Sequence, residues 1–152
     1  MRLRKYAATL GAGATLAIGA APAFADPGTE VDQAVTAARG GTACGAFRHS
    51  DVAAQAADII NRSTRNYLAH DTAVVPADDP HPVAILRDLG VETEKAKLLQ
   101  GAGPSAADAI KGAILQGFKE IPDCSYTDIG SSLLVEEKSG YVVVAAVILG
   151  GP

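Results

Sequence analysis

The chain has 152 residues, of which 48% are hydrophobic and 20% are charged, with 13 Lys or Arg and 17 Asp or Glu. This apolar content is ample for a folded core and excludes a disordered chain. An acidic chain without a basic run is a poor candidate for binding nucleic acid or an anionic lipid surface.

The first 25 residues have the pattern of a secretory signal peptide. Three basic residues among the first five precede an apolar centre over residues 7–18, and the stretch ends in Ala23-Phe24-Ala25. A basic start, a short apolar segment and small residues before the cut are typical of such signals. We expect cleavage after residue 25, which would leave a single domain over 26–152. A membrane anchor is the alternative, but so many Ala and Gly residues predict no stable membrane span.

Cys44 and Cys124 are the only cysteines in the sequence. In an oxidising compartment an even pair is most simply a disulfide. Closing so long a loop would stabilise the fold by about 4–5 kcal/mol in the chain-entropy model. Redox catalysis is the alternative, but the Cys-x-x-Cys spacing typical of it is missing. With the signal peptide, the pair predicts a secreted or cell-envelope protein.

Helical periodicity and capping residues predict several helices in the mature chain. The first covers residues 26–39, the longest runs from Ser50 to Leu68, a short one covers 82–89, and the last opens with Ser105 as its N-cap. We expect residues 93–100 to add another turn or two of helix. The apolar faces of the three longer helices are Val31, Ala34, Val35 and Ala38; then Val52, Ala53, Ala56, Ile59, Ile60 and Leu68; then Ala107, Ile110, Ala113, Ile114 and Phe118.

Residues 141–149 form a valine-rich apolar run between a Ser-Gly turn signal and a Gly-Gly-Pro end. Its β-branched residues and short length favour a strand over a buried helix. Because both of its faces are apolar, the strand should be central and covered on both sides. Helices with one apolar face and a strand with two apolar faces predict an α/β fold, a three-layer α/β/α sandwich around a small antiparallel sheet.

The order of these elements resembles the CAP superfamily, the domain shared by cysteine-rich secretory proteins, antigen 5 and pathogenesis-related proteins, and its bacterial secreted branch most of all. The matching pieces are Leu68-Ala69-His70, Pro82 to Gly90, Ser105 to Ile110, Tyr126 to Gly130, and Gly140 to Val144. The resemblance covers roughly Asp51 to Leu149. It implies an α/β/α sandwich, in agreement with the layers expected from the residues.

The resemblance also implies a metal cavity that has degenerated. Family members with an intact cavity carry two histidines and two glutamates that hold a divalent metal. His70 stands where the first histidine belongs. Residues 98–101 contain no acid where a glutamate is expected, and Gly117 stands near the place of the second histidine. We therefore expect His70 to lie beside a cavity that binds no metal, with Tyr126 as a second candidate cavity residue.

The loop over residues 69–82 contains the other candidate metal ligands. His70, Asp78, Asp79 and His81 lie within it, and imidazole with carboxylate oxygen could hold zinc. A solvated polar loop with Asp residues in turns is the alternative. No fixed ligand spacing favours the metal, so we expect no cofactor.

The sequence favours binding over catalysis. A Gly-x-Ser-x-Gly elbow is missing, and Ser105 is better explained as a helix cap than as a nucleophile. Four aromatic residues could line an apolar ligand groove or pack in the core: Phe47, Tyr67, Phe118 and Tyr126. We expect a non-catalytic module for an apolar small molecule, a lipid or an envelope protein. A secreted hydrolase using His70 and nearby acids, or a purely structural envelope protein, are the alternatives.

Overall fold

A computed structural model of the chain describes residues 26–71, 73 and 82–150, and the predicted signal peptide lies outside them. In chain order the elements are α1 (Pro27–Arg39), β1 (Arg48–His49), α2 (Asp51–Leu68), α3 (Val83–Asp88), β2 (Ala96–Gly103), α4 (Ala106–Gln116), β3 (Tyr126–Val135) and β4 (Val142–Gly150). Within the described residues, no helix is both long enough and apolar enough to cross a bilayer.

The valine-rich strand β4 is central, as the sequence predicts. The sheet has the order β1-β3-β4-β2, and both neighbours of β4 run antiparallel to it. The two-residue β1 adds a short parallel pairing at the edge of β3, beyond the antiparallel sheet that was expected. Every residue of β4 is buried. This arrangement confirms the three-layer α/β/α sandwich.

Alternate residues of β4 enter two separate cores. Val144, Ala146 and Ile148 pack with residues of α1 and α4, such as Val35 and Ile110. The other core joins Ala145, Val147 and Leu149 to α2 and α3, through Ala53, Ala56, Ala57, Ile60 and Leu86. The period of two along the strand therefore divides one apolar run between two helical layers.

Glycines on the strands let the helices approach the sheet closely. A Cβ at Gly101 in β2 would overlap the carbonyl oxygen of Ala109 in α4 and lie 2.6 Å from the amide nitrogen of Ala113. A Cβ at Gly130 in β3 would overlap the backbone of α2 at Ala54. Strands β2 and β3 therefore each have a position where only glycine leaves room for a helix backbone.

The predicted disulfide joins Cys44 to Cys124, whose Cα atoms are 5.0 Å apart. It links the segment after α1 to the start of β3. The segment that leads from Cys44 into β1 is therefore held against the edge of the sheet.

The helix expected over residues 93–100 is wrong, because this region contributes to strand β2. Leu98 and Leu99 face opposite sides of the sheet and enter the two different cores. A helix could not divide adjacent leucines in this way. At the outer edge of β2, the amide of Gln100 donates a hydrogen bond to the side-chain oxygen of Gln116 in α4.

The predicted apolar faces are only partly right. Five residues expected to be buried are exposed: Ala38, Ile59, Leu68, Ala107 and Phe118. In the first two helices the buried stripe instead includes three polar side chains: Asp32, Arg39 and Asn61. The prediction of the buried faces counted apolar residues alone and therefore left out these polar positions. As a result, the predicted faces of α1 and α2 are rotated by about one residue from the observed ones.

His70 ends α2 in the left-handed conformation, with φ 58°. Its amide donates to the carbonyl of Tyr67, and the amide of Asp71 donates to the carbonyl of Asn66. These two hydrogen bonds form a Schellman cap, in which glycine is the usual residue at the left-handed position. The backbone position of His70 is thus explained by helix termination.

Substituting Gly101→Ala should lower the free energy of unfolding by about 2–3 kcal/mol, because the new methyl group would collide with the backbone of α4. Urea denaturation would measure the change. Gly41→Ala is the matched control, since no atom lies within 4 Å of its Cβ position. Equal stabilities for the two variants would contradict the close packing of α4 on β2.

Substituting His70→Gly should raise the free energy of unfolding by about 0.5–1 kcal/mol, because glycine adopts the left-handed region without the Cβ strain of other residues. Thermal unfolding would detect the rise. Ala69→Gly is the control, since Ala69 has φ −72° and gains nothing from the change. A loss of stability in His70→Gly would show that the imidazole makes a stabilising contact.

Candidate functional site

An open groove lies between α1 and the segment that carries β1. It has a volume of about 520 Å³ and is lined by Thr29, Asp32, Gln33, Thr36, Ala37, Phe47, His49 and Ile129. The parallel pairing of His49 with Ile129 fixes the β1 side, and the amide of Ser50 extends it by donating to the carbonyl of Ile129. The groove is mainly apolar, with its charged groups confined to Asp32 and His49.

The charged residues of the groove form a hydrogen-bonded chain. His49 Nδ1 lies 2.7 Å from Asp32 Oδ2, and the hydroxyl of Ser131 in β3 donates to Asp32 Oδ1. Asp32 is buried, whereas the His49 side chain is 55% exposed. The other ring nitrogen, Nε2, lies 3.2 Å from Asp51 Oδ1. A buried carboxylate thus orients an imidazole whose outer edge faces solvent.

This arrangement favours the protonated form of His49. The hydrogen bond to Asp32 is the main cause that raises the pKa of His49, burial opposes it, and Asp51 adds a smaller increase. A ring that donates from both nitrogens carries two protons and has no free lone pair. His49 is therefore suited to donate a hydrogen bond or to attract an anion, and poorly suited to act as a general base.

The order of groups differs from that of a hydrolytic triad. In a triad the serine hydroxyl bonds to the histidine, which takes up its proton. Here the Ser131 hydroxyl donates to Asp32 Oδ1, whereas His49 contacts the other carboxylate oxygen, Oδ2. Ser131 is also buried, so the chain Ser131–Asp32–His49 holds the imidazole in place without offering a nucleophile.

His70 and Tyr126, the candidate cavity residues of the sequence, are not brought together. His70 follows α2 near the β3–β4 turn, where Lys138 Nζ lies 3.0 Å from the carbonyl oxygen of Ala69. Tyr126 begins β3, with Lys95 Nζ 4.6 Å from its ring centroid. The ten residues of β3 place its ends about 30 Å apart. These two residues therefore do not line a common cavity.

The other candidate metal ligands, Asp78, Asp79 and His81, lie outside the described residues. Within the part of the chain that the structure describes, no group of three or more His, Cys, Asp or Glu side chains could hold a metal ion. The expectation that the loop over residues 69–82 holds no metal thus stays a prediction.

Of the four aromatic residues considered for a groove, Phe47 alone lines the one described above. Tyr126 is buried, and Tyr67 and Phe118 are exposed.

The sequence reasoning missed Asp32 and His49. One signal was available: Asp32 lies between Val31 and Val35 on the predicted buried face of a helix, where a carboxylate needs a hydrogen-bond partner.

Comparisons with known proteins relate this chain to others through its fold. No family model matches it, and a search of curated proteins finds no match. Among solved structures, the chain is similar to a cysteine-rich secretory protein from Staphylococcus aureus subsp. aureus Mu50, with a TM-score of 0.53 and 11% sequence identity. The match covers 82% of this chain and 38% of that one, so this chain spans less than half the length of that protein. The likeness supports a CAP-like α/β/α fold.

Proposed function

We propose that this protein is an exported binding module that holds an apolar small molecule in the groove between α1 and β1. The observation that carries the proposal is an apolar groove with His49 in its wall, oriented by Asp32 at 2.7 Å. Export is supported by the signal-peptide pattern of residues 1–25 and by the Cys44–Cys124 disulfide, since such bonds persist in oxidising compartments.

The size and lining of the groove suit a small lipid-like ligand. Ligand sites typically have volumes of about 300–1,000 Å³, with mainly apolar walls and a few placed polar groups. The volume of about 520 Å³ falls within this range. Phe47 and Ile129 would remove apolar ligand surface from water, at about 25 cal/mol per Å².

His49 would bind the polar end of the ligand. Its contact with Asp51 is the exchangeable one, because the Asp51 side chain is fully exposed and the distance is 3.2 Å. A carbonyl, carboxylate or phosphate oxygen of the ligand could replace Asp51 at Nε2. Asp32 would remain in place behind the ring and preserve its orientation.

The alternative of a hydrolase using His70 gains no support from the position of this residue. A general base needs a free lone pair near a nucleophile and a group that orients the ring. His70 is exposed, and its backbone is placed by the cap of α2. In the described chain a carboxylate does orient His49, and the hydrogen bond to Asp32 raises the pKa of His49, which favours its protonated form.

Filling the groove should abolish binding. In Ala37→Trp the indole would occupy the space beside Phe47, so we expect the affinity for dansyl-labelled undecanoate and for dodecanol to fall at least about tenfold. Fluorescence titration would measure the first ligand, and native mass spectrometry after mild purification the second.

Ala38→Trp is the matched control for this test. Ala38 is exposed on the same helix and does not line the groove, so its variant should bind like the wild type. Equal affinity of Ala37→Trp and the wild type, or no binding of either ligand to the wild type, would refute the proposed function.

The charge of His49 predicts a pH dependence of stability. A folded-state pKa raised above the ordinary value of 6.5 stabilises the protein fully below that value, and the contribution is lost as the pH rises through the raised pKa. The difference in unfolding free energy between the wild type and His49→Gln should therefore be larger near pH 5.5 than near pH 9. Urea denaturation at both pH values would measure it. A difference that grows with pH would mean that His49 is neutral in the folded protein.

A further inference from the structure

An open surface groove lies between α1 and α4. It has a volume of about 390 Å³, and its walls are apolar apart from Glu30 of α1 and Lys111 of α4. It shares no lining residue with the groove between α1 and β1. What binds in this α1–α4 groove is therefore independent of the function proposed above.

The apolar part of the α1–α4 groove is open to water. Leu115 in its wall is 62% exposed, and it adjoins the smaller side chains of Ala34 and Ala107 and the half-buried Ile114. A single exposed leucine is common on protein surfaces. Several apolar side chains that line one groove are instead typical of an interaction site.

The two charges of the α1–α4 groove are opposite in sign and lie on opposite walls. Glu30 and Lys111 are both exposed. Neither side chain forms a hydrogen bond or an ion pair with another residue that the structure describes. The groove therefore offers an unpaired carboxylate on α1 and an unpaired ammonium group on α4.

The two helices that form the groove run in the same direction. The end of α1 lies at the start of β3, since Arg39 donates to the carbonyl of Asp123 at 3.1 Å. The start of α4 lies at the end of β2, where a Cβ on Gly103 would be 2.6 Å from Asp108. Each helix is thus antiparallel to its strand. Because β2 and β3 both run antiparallel to β4, they are parallel to each other, and so are α1 and α4.

This direction makes the α1–α4 groove complementary to a second copy of itself. A two-fold axis along the groove would place α1 of each copy over α4 of the other. Glu30 would then face Lys111 of the second copy. One helical turn later along both helices, Ala34 would face Leu115 of the second copy. Opposite charges would meet twice, and each small alanine would leave room for a leucine.

We infer that two copies of this protein associate through their α1–α4 grooves, with two reciprocal Glu30–Lys111 ion pairs and with Leu115 of each copy against Ala34 of the other. An interface that uses the same patch on both copies is the usual form of a soluble dimer. The carboxylate of Glu30 and the excess of acidic residues in the chain oppose contact with an anionic membrane. Stable interfaces bury about 800 Å² per partner, so two exposed helical faces predict a weak dimer.

Sedimentation equilibrium of the purified protein would test the association. Between about 5 and 500 μM protein, we expect the mass to rise from monomer to dimer, with a dissociation constant of about 10–100 μM. A monomer at every concentration would overturn the inference. Binding of that monomer to phosphatidylglycerol vesicles would then assign the groove to a membrane surface.

Reversal of the charges would test how the two copies pair. Glu30→Lys and Lys111→Glu each bring like charges together twice, so each should weaken dimerisation at least about tenfold. The double variant restores opposite charges and should dimerise within about threefold of the wild type. Circular dichroism would check that each variant folds. Unchanged affinity in the single variants, or no recovery in the double variant, would overturn the pairing.

Leu115→Glu would test the apolar contact. It places a charge against Ala34 of the second copy, so we expect a monomer up to about 500 μM. Ile59→Glu is the matched control, because Ile59 is an exposed apolar residue of α2, in the opposite helical layer, and should leave the dimer unchanged. A dimer that persists in Leu115→Glu, or an equal loss in Ile59→Glu, would show that the copies do not meet at the α1–α4 groove.

Discussion

Burial of β4 on both faces is the constraint on which the rest of this structure depends. A strand with apolar side chains on both sides must have cover on both sides, and the two helical layers provide it. Glycines allow the helices to pack closely on the sheet: the backbone of α4 packs against Gly101, and the backbone of α2 packs against Gly130. The centre is filled with aliphatic side chains and helix backbone, and the groove lies away from it, between α1 and the β1 edge.

At that edge, polar residues of α1 meet the segment held by the disulfide. Asp32 and Arg39 lie on the buried stripe of the helix, and each requires a partner that the apolar core cannot supply. Asp32 finds one in His49 and Ser131. Arg39 obtains a carbonyl and the face of Phe47. The buried face of α1 thus orients the imidazole of His49 through Asp32. Two turns later, Nε and Nη1 of Arg39 have no hydrogen-bond partner among the residues that the structure describes.

The layers, the central strand and the disulfide could be predicted from the sequence, because each leaves a local signal. A nine-residue apolar run, helix caps such as Ser105 and a single cysteine pair require no knowledge of distant contacts. Strand β2 could not be recognised in this way, because its sequence AKLLQGAG has no long apolar run and its two leucines are flanked by Lys97 and Gln100. The site was hidden for a related reason: Asp32 and His49 lie 17 residues apart and meet only when β1 pairs with β3.

The side-chain cap on the outer edge of β2 bears on how this protein behaves at high concentration. An open strand edge presents unpaired amides on which another chain can add a strand, which is one route to aggregation and fibrils. Gln116 occupies the amide of Gln100 at this edge. An incoming strand would have to displace this hydrogen bond before it could pair along this part of β2, so growth of the sheet at this point of the edge is opposed within a single molecule.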